Sequence, residues 1–238
     1  MTETSKTVDH ALRLLTEIGA RGPGTVAELA HRLGVPRTVA HRLLATLRDH
    51  GFVHRGPDAR YALGVALFDL ANQVEARLRD VAAPLLAGLA EDLDETAILT
   101  IRDGAEAVAV DQYRAGRTMV TIDYHPGIHH PLTVAAAGLA ILAWSDDAQA
   151  RRAVDAVRDP AVLRTRLAAI RGRGYAQSAH EFQPGVCGVS APIFGTAGAP
   201  IASIGIVTPA ARFTSEHHFA PPVTEAAAAA TAALTTRA

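Results

Sequence analysis

The sequence predicts two domains: an N-terminal all-α winged helix-turn-helix, with three helices plus a β-hairpin wing, and a C-terminal α+β domain built on an antiparallel sheet. Three observations predict it. Three amphipathic segments punctuated by glycine precede a hairpin pattern, all within residues 6–63. Beyond residue 80 the β-rich pieces come in hairpins, with no βαβ alternation. The charge is also divided between the two parts, as set out below.

Each element has its own signal. From Lys6 to Ile18 the residues Val8, Ala11, Leu12, Leu14, Leu15 and Ile18 form a helical stripe that ends at Gly19. The segment RGPG (21–24) is a breaker cluster. Val26, Leu29, Ala30 and Leu33 recur at i, i+3, i+4 and i+7 in a second helix, which Gly34 breaks. Pro36 suits the first turn of a third helix, where its missing N–H has no partner. In that helix Ala40, Leu43, Leu44 and Leu47 make the buried stripe, and Gly51 closes it. The apolar pieces flanking GPDAR (56–60) predict the two strands of the wing. A connecting helix over 65–80 carries Leu67, Leu70, Val74 and Leu78, as a dimer seam or as core packing. The organisation predicted is therefore 1–64 winged helix, 65–80 linker helix and 81–238 sensor domain.

The second part opens with a helix over Ala83–Leu93. Two β-rich pieces then flank an Asp103-Gly104 turn, and Met119–Tyr124 predicts a third strand. PLTVAAAGLAILAW is helical after Pro131, with Thr133 as its cap. A polar helical stretch over 146–172 breaks at Asp159-Pro160. VCGVSAPIF (186–194) and PIASIGIVTP (200–209) are strands joined by the GTAGA turn, and an alanine-rich helix follows from about Val223.

Composition narrows the class. The chain has 238 residues, 49% hydrophobic and 20% charged, ordinary for a globular protein. No apolar run approaches a bilayer span and no export signal is present at the N-terminus, which predicts a cytoplasmic protein without a membrane partner. A single cysteine excludes a disulfide framework or a cysteine metal cluster. Residues 1–64 carry nine Lys and Arg against six Asp and Glu, with five of the eleven histidines; residues 65–238 carry fourteen against eighteen. A basic small domain joined to an acidic larger one points to a polyanion partner for the first alone.

The run VPRTVAHRLLATLRDHGFV (35–53) suggests what that partner is. A helix-turn-helix puts the N-terminal part of its second helix into the DNA major groove, and Arg37, Thr38, Val39 and His41 lie there. Arginine bonds two acceptors on a guanine edge, and threonine meets a base edge or a thymine methyl. Arg42, with Arg55 and Arg60 of the hairpin, suits phosphates, contacts that set register without reading sequence. Double-stranded DNA is the predicted partner.

At this point the chain resembles the IclR family of transcriptional regulators. Residues 5–15 (SKTVDHALRLL), 26–34 (VAELAHRLG) and 35–53 fit the family's winged-helix pattern, and YALG (61–64) ends the wing in the same way. PLTVAAAGLAILA (131–143) and GYAQSAHEFQPGVCGVSAPIF (174–194) are similar to the two signature segments of its effector domain. The resemblance implies a GAF-like C-terminal domain that binds a small organic acid or aromatic metabolite. It also implies a homodimer, often a tetramer, on a palindromic operator, and repression is favoured over activation. Leu139 stands where the family places lysine. The positions of the family's polar ligand anchors hold Ser178, Gly188, Gly205 and Val207 here, with the cysteine displaced to Cys187. Leu132, Ala135, Ala136 and Val189 complete the candidate effector site. Four polar anchors reduced to one hydroxyl predict a ligand less polar than a 2-oxo acid, held mainly by apolar burial.

The same residues bear on two other chemistries. Cys187 with His180 seven residues earlier is one option for nucleophilic catalysis, but a lone cysteine in a GVCGVS strand is the pattern of a small buried hydrophobe. The pairs His129-His130 and His217-His218, with His125, read as solvated loop histidines, because strand neighbours point to opposite faces and no further ligand sits at metal spacing. No catalytic residue, metal or cofactor is predicted. The competing class is a small-molecule enzyme with an appended helix-turn-helix, which need not bind DNA specifically.

Overall fold

The computed structural model describes residues 5–73, 75–116 and 121–236. It divides into two compact units, Met1–Ala76 and Arg77–Ala238. In the first, α1 (Lys6–Arg21), α2 (Val26–Leu33) and α3 (Arg37–Asp49) precede β1 (Val53–Arg55) and β2 (Tyr61–Leu63). Leu14, Ile18, Leu29, Leu33, Leu43, Leu44, Val53 and Tyr61 form its core, so each of the five elements contributes to one cluster. α1 runs through Gly19 to Arg21 rather than stopping at the glycine. Val8 and Leu12 of its predicted stripe are exposed, because the buried face follows Leu14 and Ile18.

The turn between α2 and α3 has a clear backbone cause. Thr25 and Glu28 form a reciprocal capping box at the start of α2. At its end Gly34 adopts φ +71°, which glycine reaches without a Cβ penalty. Pro36 is the N-cap of α3 rather than its first-turn residue, and its carbonyl accepts from the N–H groups of Val39 and Ala40. Gly51, at φ +74°, ends α3, and the Phe52 N–H returns to the Leu47 carbonyl at 2.8 Å. The wing strands pair Val53 with Leu63, His54 with Ala62 and Arg55 with Tyr61. Gly64 then crosses so close to Gly51 that a Cβ there would lie 2.0 Å from the Gly51 carbonyl oxygen.

The predicted single linker helix is two helices, α4 (Ala66–Gln73) and α5 (Ala76–Leu93), with Glu75 at φ +49° before the second. α5 therefore starts seven residues ahead of the helix expected at Ala83. The residues of the stripe read across 65–80 differ in their surroundings within the chain. Leu78 is buried in the second unit's core and Leu70 is exposed, while Val74 lies outside the described residues.

The second unit is a six-stranded antiparallel sheet in the order β5-β4-β3-β8-β7-β6. Its strands are β3 (Thr96–Asp103), β4 (Glu106–Arg114), β5 (His129–Pro131), β6 (Ala176–Ala179), β7 (Val186–Phe194) and β8 (Pro200–Pro209). Side-chain alternation divides its two faces. Leu99, Val189, Ile204 and Ile206 pack against α5 and α9 (Glu216–Thr235). The opposite face meets α6 (Ala135–Leu142), α7 (Ala148–Asp155) and α8 (Pro160–Arg173). Pro160 opens α8, as the predicted break requires.

Several local expectations are corrected. Met119 and Val120 lie outside the described residues, and 121–124 form no strand; β5 takes the place beside β4 instead. Thr133 does not cap α6, whose N-cap is Val134. α9 begins at Glu216, with Pro221 and Pro222 inside it, rather than near Val223. His217 and His218 are thus helical, and His130 is buried on β5 while His129 is exposed on it, so of these five histidines His125 is the one in an exposed loop.

Candidate nucleic-acid interface and effector pocket

In the first unit, one open cleft is lined by Val26, Arg37, Thr38, His41, Arg55 and Tyr61. Arg37 and Thr38 lie on the same side of α3 as His41 because they precede it by four and three residues. The pairing of β1 with β2 brings Arg55 in from the wing, where its guanidinium stands 6.0 Å from the Tyr61 ring centroid. The guanidinium groups of Arg37 and Arg42 have no hydrogen-bond or ion-pair partner among the described residues. Exposed cations beside a helix N-terminus create a positive concave surface.

Two of the residues singled out from sequence have other work. Val39 packs against the domain core, since it lies one turn before Leu43 on the buried side. Arg60 is bound within the domain: its Nη2 meets Glu28 Oε2 at 3.0 Å and donates to the Pro23 carbonyl at 2.9 Å. That arginine braces the wing on the start of α2. Its charge, with the Thr25 backbone N–H as the larger cause, holds the Glu28 carboxyl below the usual range.

In the second unit a pocket lies between the start of α6, strands β3, β7 and β8, and the loop over 180–185. Of the candidate effector residues, Ala135, Ala136, Ser178, Cys187, Gly188 and Val207 line it. Ala135, the first residue of α6, takes φ +59°. The Ser178 hydroxyl oxygen accepts from the Ala136 N–H at 2.9 Å, supplying the cap that Thr133 does not. Only about 30 Å³ is open to water, which is room for a water or two.

The loop over 180–185 closes the pocket. His180 at φ +59° accepts from the Gly185 N–H at 3.0 Å, and Phe182 and Gln183 reach the cavity. Glu181 is paired with Arg166 at 2.6 Å, and the same guanidinium donates to the Gln177 carbonyl at 2.7 Å, so this charge is compensated. Cys187 is 4% exposed, and burial pushes its thiol up, away from the thiolate a nucleophile needs.

The remaining predicted positions are not at the pocket surface. Leu132 is fully buried under α6 and Val189 belongs to the core on the opposite sheet face. Gly205 acts through a neighbour: a Cβ there would fall 2.2 Å from the Ser190 hydroxyl oxygen, so the glycine makes room for that side chain. Sequence reasoning missed Ile98, Tyr124, Phe182, Val186 and Ser190, all of which line the pocket. Ser190 was legible in the two-residue period from Gly188. Tyr124 was hidden because its segment read as a strand. The hydroxyls of Ser190 and Tyr124 also amend the count of one polar anchor. Among the described residues, no group of three or more His, Cys, Asp or Glu forms a metal cluster, and no helix is long and apolar enough to cross a membrane.

Comparison with known proteins covers both units. Residues 7–57 match the family model of the IclR helix-turn-helix domain, and residues 70–233 match that of the bacterial transcriptional regulator IclR C-terminal domain. The transcriptional repressor IclR of Escherichia coli (strain K12) is 30% identical over 228 residues, covering 89% of this chain and 82% of that protein. A crystal structure of an IclR regulator from Alicyclobacillus acidocaldarius has a TM-score of 0.85 at 25% identity, over 98% of this chain and 100% of the other. An IclR homologue from Microbacterium hydrocarbonoxydans, crystallised with 4-hydroxybenzoate, has the same fold: TM-score 0.85, 22% identity, and coverage of 96% and 99%. With its N-terminal unit matched by one of these family models and most of its second unit by the other, this chain belongs to the IclR family of bacterial transcriptional regulators.

Proposed function

We propose that the protein is a cytoplasmic repressor that binds a palindromic operator as a homodimer and is released or retained by a small aromatic ligand. The observation that carries the DNA reading is the shared cleft of Arg37, Thr38, His41 and Arg55. Arg37, Thr38 and His41 take base edges, while Arg42 and Arg55 take phosphates. Val39 and Arg60 are left out of this set, since the core and Glu28 already hold them. The dimer is supported by the exposed apolar side chains Val8, Leu12, Phe68 and Leu70 on a unit that by itself reads one half-site of a palindrome.

The ligand reading rests on the pocket lining. Ile98, Phe182, Val186 and Val207 are apolar walls, and the Ser178 hydroxyl, bonded to the Ala136 N–H, stands at the start of α6. An aromatic ring burying about 150 Å² contributes roughly 4 kcal/mol at the usual transfer coefficient. The 4-hydroxybenzoate bound by a relative of the same fold fits this class. Entry requires the Phe182 loop to yield, because the closed cavity is smaller than a ring. A ligand that binds the two states of the dimer with different affinity shifts operator binding; one that binds both equally shifts nothing.

A mobility-shift assay on the DNA upstream of the protein's own gene, across a salt series and with aromatic acids added, tests the whole reading. Affinity should fall steeply as salt rises, because each phosphate contact releases counterions, and should respond to at least one acid. Equal binding to any duplex would refute specific recognition.

A further inference from the structure

The loop that closes the pocket has a fixed base and a four-residue tip. At the base the His180 N–H donates to the Val186 carbonyl at 2.8 Å, and the Gly185 carbonyl accepts from the Ala210 N–H at 2.8 Å. His180 and Gly185 take φ +59° and +81°, so the chain turns sharply at each end. Two side chains of the tip, Glu181 to Pro184, fasten it to other elements. Glu181 meets Arg166 of α8 at two points, Nη2 to Oε1 at 2.6 Å and Nη1 to Oε2 at 3.1 Å. On the other side the Phe182 ring lies 6.0 Å from the Tyr124 ring and 5.1 Å from that of His130, between centroids. Arg166 and His130 are not part of the pocket lining, so each fastening reaches past the cavity.

The two fastenings differ in what weakens them. The Glu181 and Arg166 side chains are 28% and 33% exposed, so dissolved salt screens their pairing. The aromatic contact carries a cost of its own. Beneath Phe182 the Tyr124 hydroxyl and His130 Nε2 are buried with no hydrogen-bond partner among the described residues. Lifting the Phe182 ring gives up apolar contact but lets water reach those atoms. One ionic and one aromatic contact therefore hold the tip closed against a desolvation cost, and both can release while the sheet stays folded.

We infer that residues 181–184 are a lid with two latches, Glu181 on Arg166 and Phe182 on Tyr124 and His130, and that ligand entry requires both to release. This deepens the reading of the pocket as the effector site, since the lid is an element whose two positions a ligand can tell apart. Its test contains no effector, so the two readings fail separately.

Cys187 lines the same pocket, is 4% exposed and is the chain's single cysteine, so its reaction with iodoacetamide reports opening. Mass spectrometry of the full chain at one fixed pH follows the label. The wild type should react about a hundredfold or more slowly than the chain in denaturant. Glu181→Gln and Phe182→Ala should each react about tenfold faster than the wild type. Rising salt should speed the wild type and leave Glu181→Gln unchanged, and brief chymotrypsin digestion should cut Glu181→Gln after Phe182 sooner than the wild type. Should Phe182→Ala fail to fold in a thermal melt, Phe182→Leu, which keeps bulk and loses the ring, takes its place. A wild-type rate insensitive to salt removes the ionic latch, and a rate unchanged by substitution of Phe182 removes the aromatic one; either result overturns the inference.

Discussion

At the scale of single residues, two of the four arginines first assigned to DNA separate by what else they touch. Arg37, at the start of the recognition helix, has no partner for its guanidinium among the described residues, whereas Arg60 is tied to Glu28 and Pro23. Arg37→Ala should lose about 1–3 kcal/mol of operator binding and relax preference at one base position, read by binding to a panel of single-base operator variants. Arg60→Ala should instead lower the melting temperature of the N-terminal domain and leave the salt slope of binding unchanged. His130 adds a pH effect. Burial lowers its folded pKa beneath the ordinary 6.5, so only the unfolded chain takes up a proton as pH falls below that value. Stability should therefore fall through this acidic range, and His130→Leu should flatten that part of a denaturation series measured against pH.

At the scale of elements, glycines decide how helix and wing meet, and they do so for different reasons. Gly34 has no atom within 4 Å of a Cβ built on it, so Gly34→Ala meets only the left-handed backbone penalty, about 1–2 kcal/mol. Gly64→Ala drives a Cβ into the Gly51 backbone at 2.0 Å, and no rotamer relieves that. Chemical denaturation should show the Gly64 variant losing clearly more than the Gly34 variant, with operator binding lost along with the wing's place beside α3. The same scale explains the errors of boundary. Apolar periodicity carried no mark of the break before α5, and α9 absorbs two prolines that normally argue against a helix interior.

At the scale of the whole molecule, the proposed dimer makes the strongest demand. Phe68 is 69% exposed and Val65 80%, on a domain that also exposes Val8 and Leu12. Burial of such side chains contributes roughly 1.5–3 kcal/mol each. Phe68→Glu should shift sedimentation toward monomer and weaken operator binding, while titration with an aromatic acid still reports a filled pocket. A variant that stays dimeric would remove Phe68 from the interface.

The sequence by itself determined the two-domain organisation and the polar side of the recognition helix. Those depend on local periodicity, glycine placement and the sign of charge, all carried by neighbours along the chain. It also named the signature segments from which most of one pocket wall is drawn. Only the tertiary structure decided which of those residues touch the cavity, because strand alternation sends Gly188 and Val189 to opposite faces. The engagement of Arg60 with a carboxylate thirty-two positions away was likewise invisible before folding. So was the meeting of Tyr124, His130 and Phe182, since burial and partnership are properties of space and not of order along the chain.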